Sequence, residues 1–393
     1  MEWKRTLARL ILGAEAIVDG AKLAVGEAIN GERPIRVQAY AGYGTPERAY
    51  VNGRVLFGAR IGPAREDDAW WVNLINTYRR LESDEVPGAR VRIAFGGTEV
   101  DATADGEGFF HAWVAPRNTI DAERAWHEAD VQLLRPRRAA PVRDRARILI
   151  PPASARFGII SDLDDTVLQS RVGDLIGALR AVLFGNARTR LPFPGVAAFY
   201  RALEAGVGGA EGNPIFYVSS SPWNLYDLLA EFLEVRGIPA GPLTLRDWGL
   251  TANGLLPTQH ARHKLGAIRR ILATYPALPF ILIGDSGQED PEIYRDVVHE
   301  HPGRILAVYI RNVSTLRERL SAIEALGAEL AAAGSTLLLA DDTLAAARHA
   351  AEHGWIRADA LGAVAEERGR EEREPTAGPT PTLIVEGKTG PAR

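Results

Sequence analysis

"FGIISDLDDTVLQS", residues Phe157–Ser170, is an apolar run that ends in three aspartates within four positions. Phe157, Gly158, Ile159 and Ile160 suit a strand covered on both faces, as in a parallel sheet. Open sheets of that kind place their ligand crevice beyond the carboxyl ends of the strands. Asp162 and Asp164, two positions apart, share one side of an extended backbone, where like charges call for a cation or a shared proton. The plainer alternative is a polar strand-to-helix turn, which accounts for Asp165 and one other aspartate as caps.

The rest of the chain sets the frame. Its 393 residues are enough for two domains and a substantial core, and a net charge of −4 argues against general nucleic-acid binding. With no cysteine, disulfides, thiolate zinc sites and cysteine nucleophiles are excluded. Residues 1–30 read as an amphipathic helix in which Glu15 and Asp19 interrupt the apolar run short of a membrane span. With no other candidate span, a cytoplasmic protein is expected, with peripheral membrane contact as a further possibility.

Residues 31–134 change to short strand-like runs separated by turn sequences such as "VNGRV" and "ADGEG", the pattern of an antiparallel sandwich. Residues 135–156 read as a linker in which Arg135, Arg137, Arg138, Arg143, Arg145, Arg147 and Arg156 face only Asp144. A solvated linker explains this run, and attraction to anionic lipid headgroups is the sharper reading. Strand-like and helix-like runs then alternate through 157–360, which predicts a parallel sheet flanked by helices. Residues 361–393, charged and then rich in Pro, Gly and Thr, are expected to be disordered.

Three more stretches place polar chemistry at strand ends or helix starts. In "FYVSSSPWNLYDLL" an apolar run meets Ser219, Ser220 and Ser221 before Pro222 opens a helix, so hydroxyls and bare N–H groups are offered to an anion. "HARHKLGAIRRIL" offers Lys264 on a helix, where a lone lysine ordinarily faces solvent. "FILIGDSGQEDPEIY" carries Asp285 at the end of a strand, then Glu289 and Asp290, oxygen donors suited to a hard cation.

In order and in strand context, these stretches resemble the four motifs of the haloacid dehalogenase superfamily of phosphohydrolases. The wording "SDLDDT", "YVSSSPWNLYDLL", "LRDWG", "HK" and "IGDSGQEDPEIY" resembles the actin-patch-associated phosphatidate phosphatase family and its bacterial relatives, over about residues 145 to 315. The resemblance implies an α/β fold with a Rossmann-like parallel sheet and a short cap, preceded by the smaller β-rich domain. It also implies Mg2+-dependent hydrolysis of phosphatidate to diacylglycerol and phosphate through an aspartyl phosphate. Asp162 would be the nucleophile and Asp164 the general acid and base. Thr166, Ser219, Ser220 and Lys264 would hold the phosphoryl group. Asp162, Asp164, Asp285 and Asp290 would serve the metal, with Glu289 as the alternative to Asp290.

A soluble phosphomonoester or a phosphoprotein is the alternative substrate, and a non-catalytic binding protein the contrasting class. The segment "VLQSRVGDLIGALRAVLFGNARTR" stands where that superfamily inserts its cap. Its apolar residues Leu175, Ile176, Leu179, Val182, Leu183 and Phe184 recur at helical spacing among Arg171, Arg180, Arg188 and Arg190. A helix packed on the core and a face dipping into lipid both fit.

Overall fold

A computed structural model describes residues 33–58, 85–163, 194–246, 257–314 and 316–373. The N-terminal helix expected over 1–30, the cap segment, Asp164 and Thr166 lie outside the described residues.

The first part of the chain forms strands β1 (Ile35–Ala39), β2 (Gly42–Thr45), β3 (Arg48–Phe57), β4 (Arg90–Phe95), β5 (Thr98–Thr103), β6 (Phe109–Val114), β7 (Trp126–Arg135) and β8 (Arg143–Leu149). All eight belong to one hydrogen-bonded sheet, with β6 added to the side of β3. Its pairs are antiparallel except β2 with β8. The long β3 pairs with β1, β2 and β6. The sheet folds around Val51, Val55, Ile93, Phe110, Val131 and Ile148, all essentially inaccessible to solvent.

β8 corrects the expected linker over 135–156. Arg143, Arg145 and Arg147 point outward, while Ala146 and Ile148 are buried in the sheet's core. The alternation has the period of a half-buried strand. Arg145 pairs with Glu128 and Asp130 across the β7 register, and Arg147 stacks on Trp126. Part of the positive run is thus neutralised within its own sheet.

The second part is a six-stranded parallel sheet. Its strands are β9 (Gly158–Asp162), β10 (Ile215–Pro222), β11 (Leu243–Arg246), β12 (Phe280–Asp285), β13 (Ile305–Arg311) and β14 (Thr336–Ala340). The helices between and after them are α1 (Val196–Ala205), α2 (Tyr226–Val235), α3 (Pro257–Thr274), α4 (Asp290–Glu300), α5 (Arg317–Ala332), α6 (Thr343–Glu352) and α7 (Ala360–Arg373). Alternate strand residues feed two cores. Ile159, Tyr217, Ile283 and Tyr309 pack with α1, α2, α6 and α7. Ile160, Phe216, Leu282 and Val308 pack with α3, α4 and α5. Tyr43 and Leu149 of the β domain join the second core.

The sheet order is β11-β10-β9-β12-β13-β14. Counted from β9, this is the doubly wound order whose direction reverses between its first and fourth strands. The switch point lies between β9 and β12, and those two strands end in Asp162 and Asp285.

α7 corrects the expected disorder as far as Arg373; residues 374–393 lie outside the described residues. Val364 is fully buried, and two carboxylates of α7 reach the start of α1, whose own N-cap is Gly195 with no side-chain oxygen to offer. Glu371 Oε2 accepts from the Gly195 N–H at 2.8 Å, and Glu367 Oε1 accepts from the Ala198 N–H at 2.8 Å. Carboxylates at a helix N-terminus satisfy orphan donors and the helix dipole together. The charge that suggests solvent exposure is here the means of attachment. No helix among the described residues is long and apolar enough to cross a membrane.

Candidate active site

The parallel sheet brings Asp162, Asp285, Asp290 and Lys264 to one point at its carboxyl edge. One carboxylate oxygen from each aspartate lies within 4.8 Å of the others. Lys264 Nζ, delivered by α3, is 2.8 Å from Asp162 Oδ1 and 2.9 Å from Asp290 Oδ1. The Asp162 and Lys264 side chains are each only 3% exposed, and that of Asp290 is fully buried. Asp162 and Asp290 share the Lys264 ammonium, and Asp285 stands beside them in the same cluster. Burial makes close carboxylates costly, and an oxygen-rich acidic set of this kind fits a hard divalent cation.

Local chemistry explains how each group arrives. Asp162 ends β9, where Ser161 Oγ donates to the Asp162 carbonyl at 2.9 Å. The Tyr200 hydroxyl of α1 supplies the second bond to Ser161 Oγ, at 2.7 Å. Burial raises the Tyr200 pKa, which keeps that hydroxyl protonated and able to donate. Asp285 ends β12, and its Oδ1 accepts from the Gly287 N–H at 2.7 Å and the Gln288 N–H at 3.2 Å. These bonds turn the chain into α4, which presents Asp290 from its first position. Gly284 makes the approach possible, because a Cβ there would lie 2.5 Å from Asp290 Oδ2.

Of the two acidic residues at the start of this turn into α4, Glu289 is exposed and Asp290 stands in the cluster.

Ser219, Ser220 and Ser221 are buried at the end of β10, next to β9, with Val218 in register with Asp162. They sit in a bulge. β10 and β11 pair at Val218 with Thr244 and again at Pro222 with Arg246, so four steps along one strand match two along the other. Ser219 Oγ accepts from the Ser221 N–H at 3.0 Å within this bulge.

Two supporting residues escaped the sequence reading. Arg319 of α5 donates to the carbonyls of Ser286, at 3.0 Å, and Gln288, and pairs with the Glu292 carboxylate. Ser286 Oγ accepts from the Val313 and Ser314 N–H groups, at 2.9 and 3.0 Å, tying the acidic turn to the end of β13. In sequence Arg319 is one charge on an Ala-rich helix. Only the fold turns it toward the 285–292 turn.

An acidic trio with a buried lysine, set at the switch point of a doubly wound parallel sheet, defines an α/β domain with a site fitted to a divalent cation. Comparison with known proteins then shows what this domain is similar to. Residues 157–312 match the family described as "Phosphatidate phosphatase APP1, catalytic domain". Phosphatidate phosphatase APP1 of Saccharomyces cerevisiae is 34% identical over 156 residues, 39% of this chain and 26% of that protein. An uncharacterized protein of Schizosaccharomyces pombe is 28% identical over 161 residues, 40% of this chain and 25% of the relative. The chain thus spans about a quarter of the length of the curated relatives it matches. Among solved structures, a carbohydrate acetylesterase from Xanthomonas citri overlaps 74% of this chain and 71% of its own at 12% identity. Its TM-score of 0.24 carries no argument.

Proposed function

We propose that the parallel domain is a Mg2+-dependent phosphatase of the haloacid dehalogenase type, acting through an aspartyl phosphate, with phosphatidate as its substrate. The observation that carries this reading is the convergence of Asp162, Asp285, Asp290 and Lys264 beside the serine bulge. The relationship to a phosphatidate phosphatase catalytic domain supports the substrate class.

In this reading an Asp162 carboxylate oxygen attacks phosphorus, which a carboxylate does without prior deprotonation at neutral pH. The phosphorus–oxygen bond to diacylglycerol breaks, and the leaving alkoxide takes a proton from Asp164. Asp164 then removes a proton from water as the water oxygen attacks the acyl phosphate, which releases inorganic phosphate and restores Asp162. Ser219 and Ser220, with Thr166, hold the phosphoryl oxygens. Lys264 places positive charge beside the incoming dianion and lessens its repulsion by the aspartates. The roles of Asp164 and Thr166 follow from the motif they share with Asp162. Asp162, Asp285 and Asp290, with Asp164, would hold Mg2+. When bound, the ion supplies charge stabilisation at the phosphoryl oxygens.

Peripheral membrane contact is part of the same proposal. The outward face of β8, with Arg143 exposed, and the arginines of the cap segment would meet an anionic surface. Near such a surface each basic residue contributes on the order of 1 kcal/mol, less as salt shortens the Debye length. The pairing of Arg145 with Glu128 and Asp130 reduces the share from β8. The test compares phosphate release from phosphatidate in vesicles with release from a small soluble phosphomonoester, at rising salt. Lipid turnover is expected to be the faster and to fall steeply with salt, while the soluble reaction changes little. A soluble ester hydrolysed far faster than phosphatidate, with no vesicle binding at low salt, would assign the site to soluble substrates.

A further inference from the structure

The serine bulge does not end in solvent. It runs directly into Trp223–Asp227, and that segment is held from the β domain by several contacts. The ring of Tyr40 stacks on Trp223 with centroids 4.5 Å apart and packs against Tyr226 at 4.4 Å. The Tyr226 hydroxyl accepts from the Ala41 N–H at 2.8 Å. Gln38 Nε2 donates to Asp227 Oδ1 at 2.7 Å. Arg54 Nη1 donates to Asn224 Oδ1 at 2.8 Å.

Arg54 is the firmest of these. It is only 5% exposed, and its other nitrogens are also engaged: Nε donates to the Glu107 carbonyl and Nη2 to the Glu85 carboxylate, each at 2.8 Å. Its guanidinium lies 4.3 Å from the centre of the Phe109 ring, and Phe109 in turn packs on Trp223. A planar cation bonded at every nitrogen and stacked on a ring has little freedom, so it fixes the position of what it grips. A bulge, by contrast, has lost local ladder bonds and depends on its surroundings for its shape.

We propose that the β domain is a positioning element for the phosphoryl seat: Arg54 through Asn224, and Tyr40 and Ala41 through Trp223 and Tyr226, hold Ser219–Ser221 in their bulged form. The proposal rests on the reading of Ser219 and Ser220 as ligands of the phosphoryl oxygens. It gives the β domain a task that its sequence did not reveal. It also separates two halves of the site, since the bonds that brace the acidic turn over 285–292 among the described residues come from Arg319 and Ser286.

The experiment is calorimetric titration of the full chain with inorganic phosphate in the presence of Mg2+, and separately with Mg2+ alone. Asn224→Leu removes the acceptor of Arg54 and is expected to weaken phosphate binding about tenfold, the scale of one hydrogen bond to a charged group. Its Mg2+ affinity should be unchanged. Asn224→Asp keeps an acceptor for Arg54 and should bind phosphate as the wild type does. Tyr226→Phe keeps the ring stack, loses only the bond from Ala41, and should weaken phosphate by about threefold. Wild-type phosphate affinity in both Asn224→Leu and Tyr226→Phe would overturn the inference and leave the phosphatase reading standing. Equal losses of phosphate and Mg2+ affinity would also overturn it, because they report general loosening. A wild-type protein that binds Mg2+ but no phosphate would overturn the reading of the serines, and the inference with it.

Discussion

Asp162→Asn is expected to lower phosphatase turnover by roughly 10^4-fold or more, the scale seen when an enzyme loses its attacking group. The amide keeps the shape of the side chain but cannot attack phosphorus. The fold should not suffer. Asp162 and Asp290 share Lys264, with Asp285 close by in the cluster, so removing one charge relieves repulsion among the carboxylates while Asp290 still holds the lysine. The melting temperature is therefore expected to stay the same or rise, as is common where residues are selected for chemistry and not for stability. Phosphate release and a thermal melt on the same preparation check both statements. A variant that retains substantial activity, or one that is inactive only because it has unfolded, would count against Asp162 as nucleophile.

Removal of divalent cations is the second large effect. Chelation should abolish turnover and added Mg2+ should restore it. Asp285→Ala should cut turnover by about 10^2- to 10^4-fold, the rate equivalent of the several kcal/mol a bound cation contributes to charge stabilisation. The acidic trio supplies the reason: its clustered carboxylates repel a phosphate dianion unless a cation is present. Ca2+ should inhibit, because its longer and looser coordination misplaces the phosphoryl group for in-line attack. Calorimetry of Mg2+ binding to wild type and Asp285→Ala separates loss of the ion from loss of chemistry. Full activity in exhaustively chelated protein would contradict the account.

Much of this site is legible in the sequence because its groups are attached to strands that announce themselves. "FGIISD" and "FILIGD" are apolar runs with an aspartate at the end, and a parallel sheet has to bring such ends to one edge. Lys264 is different. A lysine on an amphipathic helix ordinarily faces water, and the motif order, not the helix pattern, marks it. What sequence does not carry is the contact between distant elements. The grip of Arg319 on the 285–292 turn and of Arg54 on Asn224 depends on which helix or strand lies opposite, and both arginines look like solvated charges along the chain.

The misread segments have the same origin. In "RDRARIL" the outward arginines dominate the eye, while the inward alternation of Ala146 and Ile148 decides the structure. In α7 the glutamates that suggest disorder are the groups that cap α1. Charge along a sequence reports polarity and not whether a partner waits for it in the fold. The serine bulge adds a further case, since the register between β10 and β11 is a property of two strands and is written in neither alone.

The central claim is that Asp162 becomes phosphorylated during turnover. The most direct measurement is rapid acid quench of the full chain during hydrolysis of phosphatidate in the presence of Mg2+, followed by digestion and mass spectrometry to locate the phosphoryl group. The account predicts an acyl phosphate on Asp162 that is labile to hydroxylamine and missing from Asp162→Asn. Turnover with no phosphorylated peptide at any quench time, or with the phosphoryl group on another residue, would contradict it.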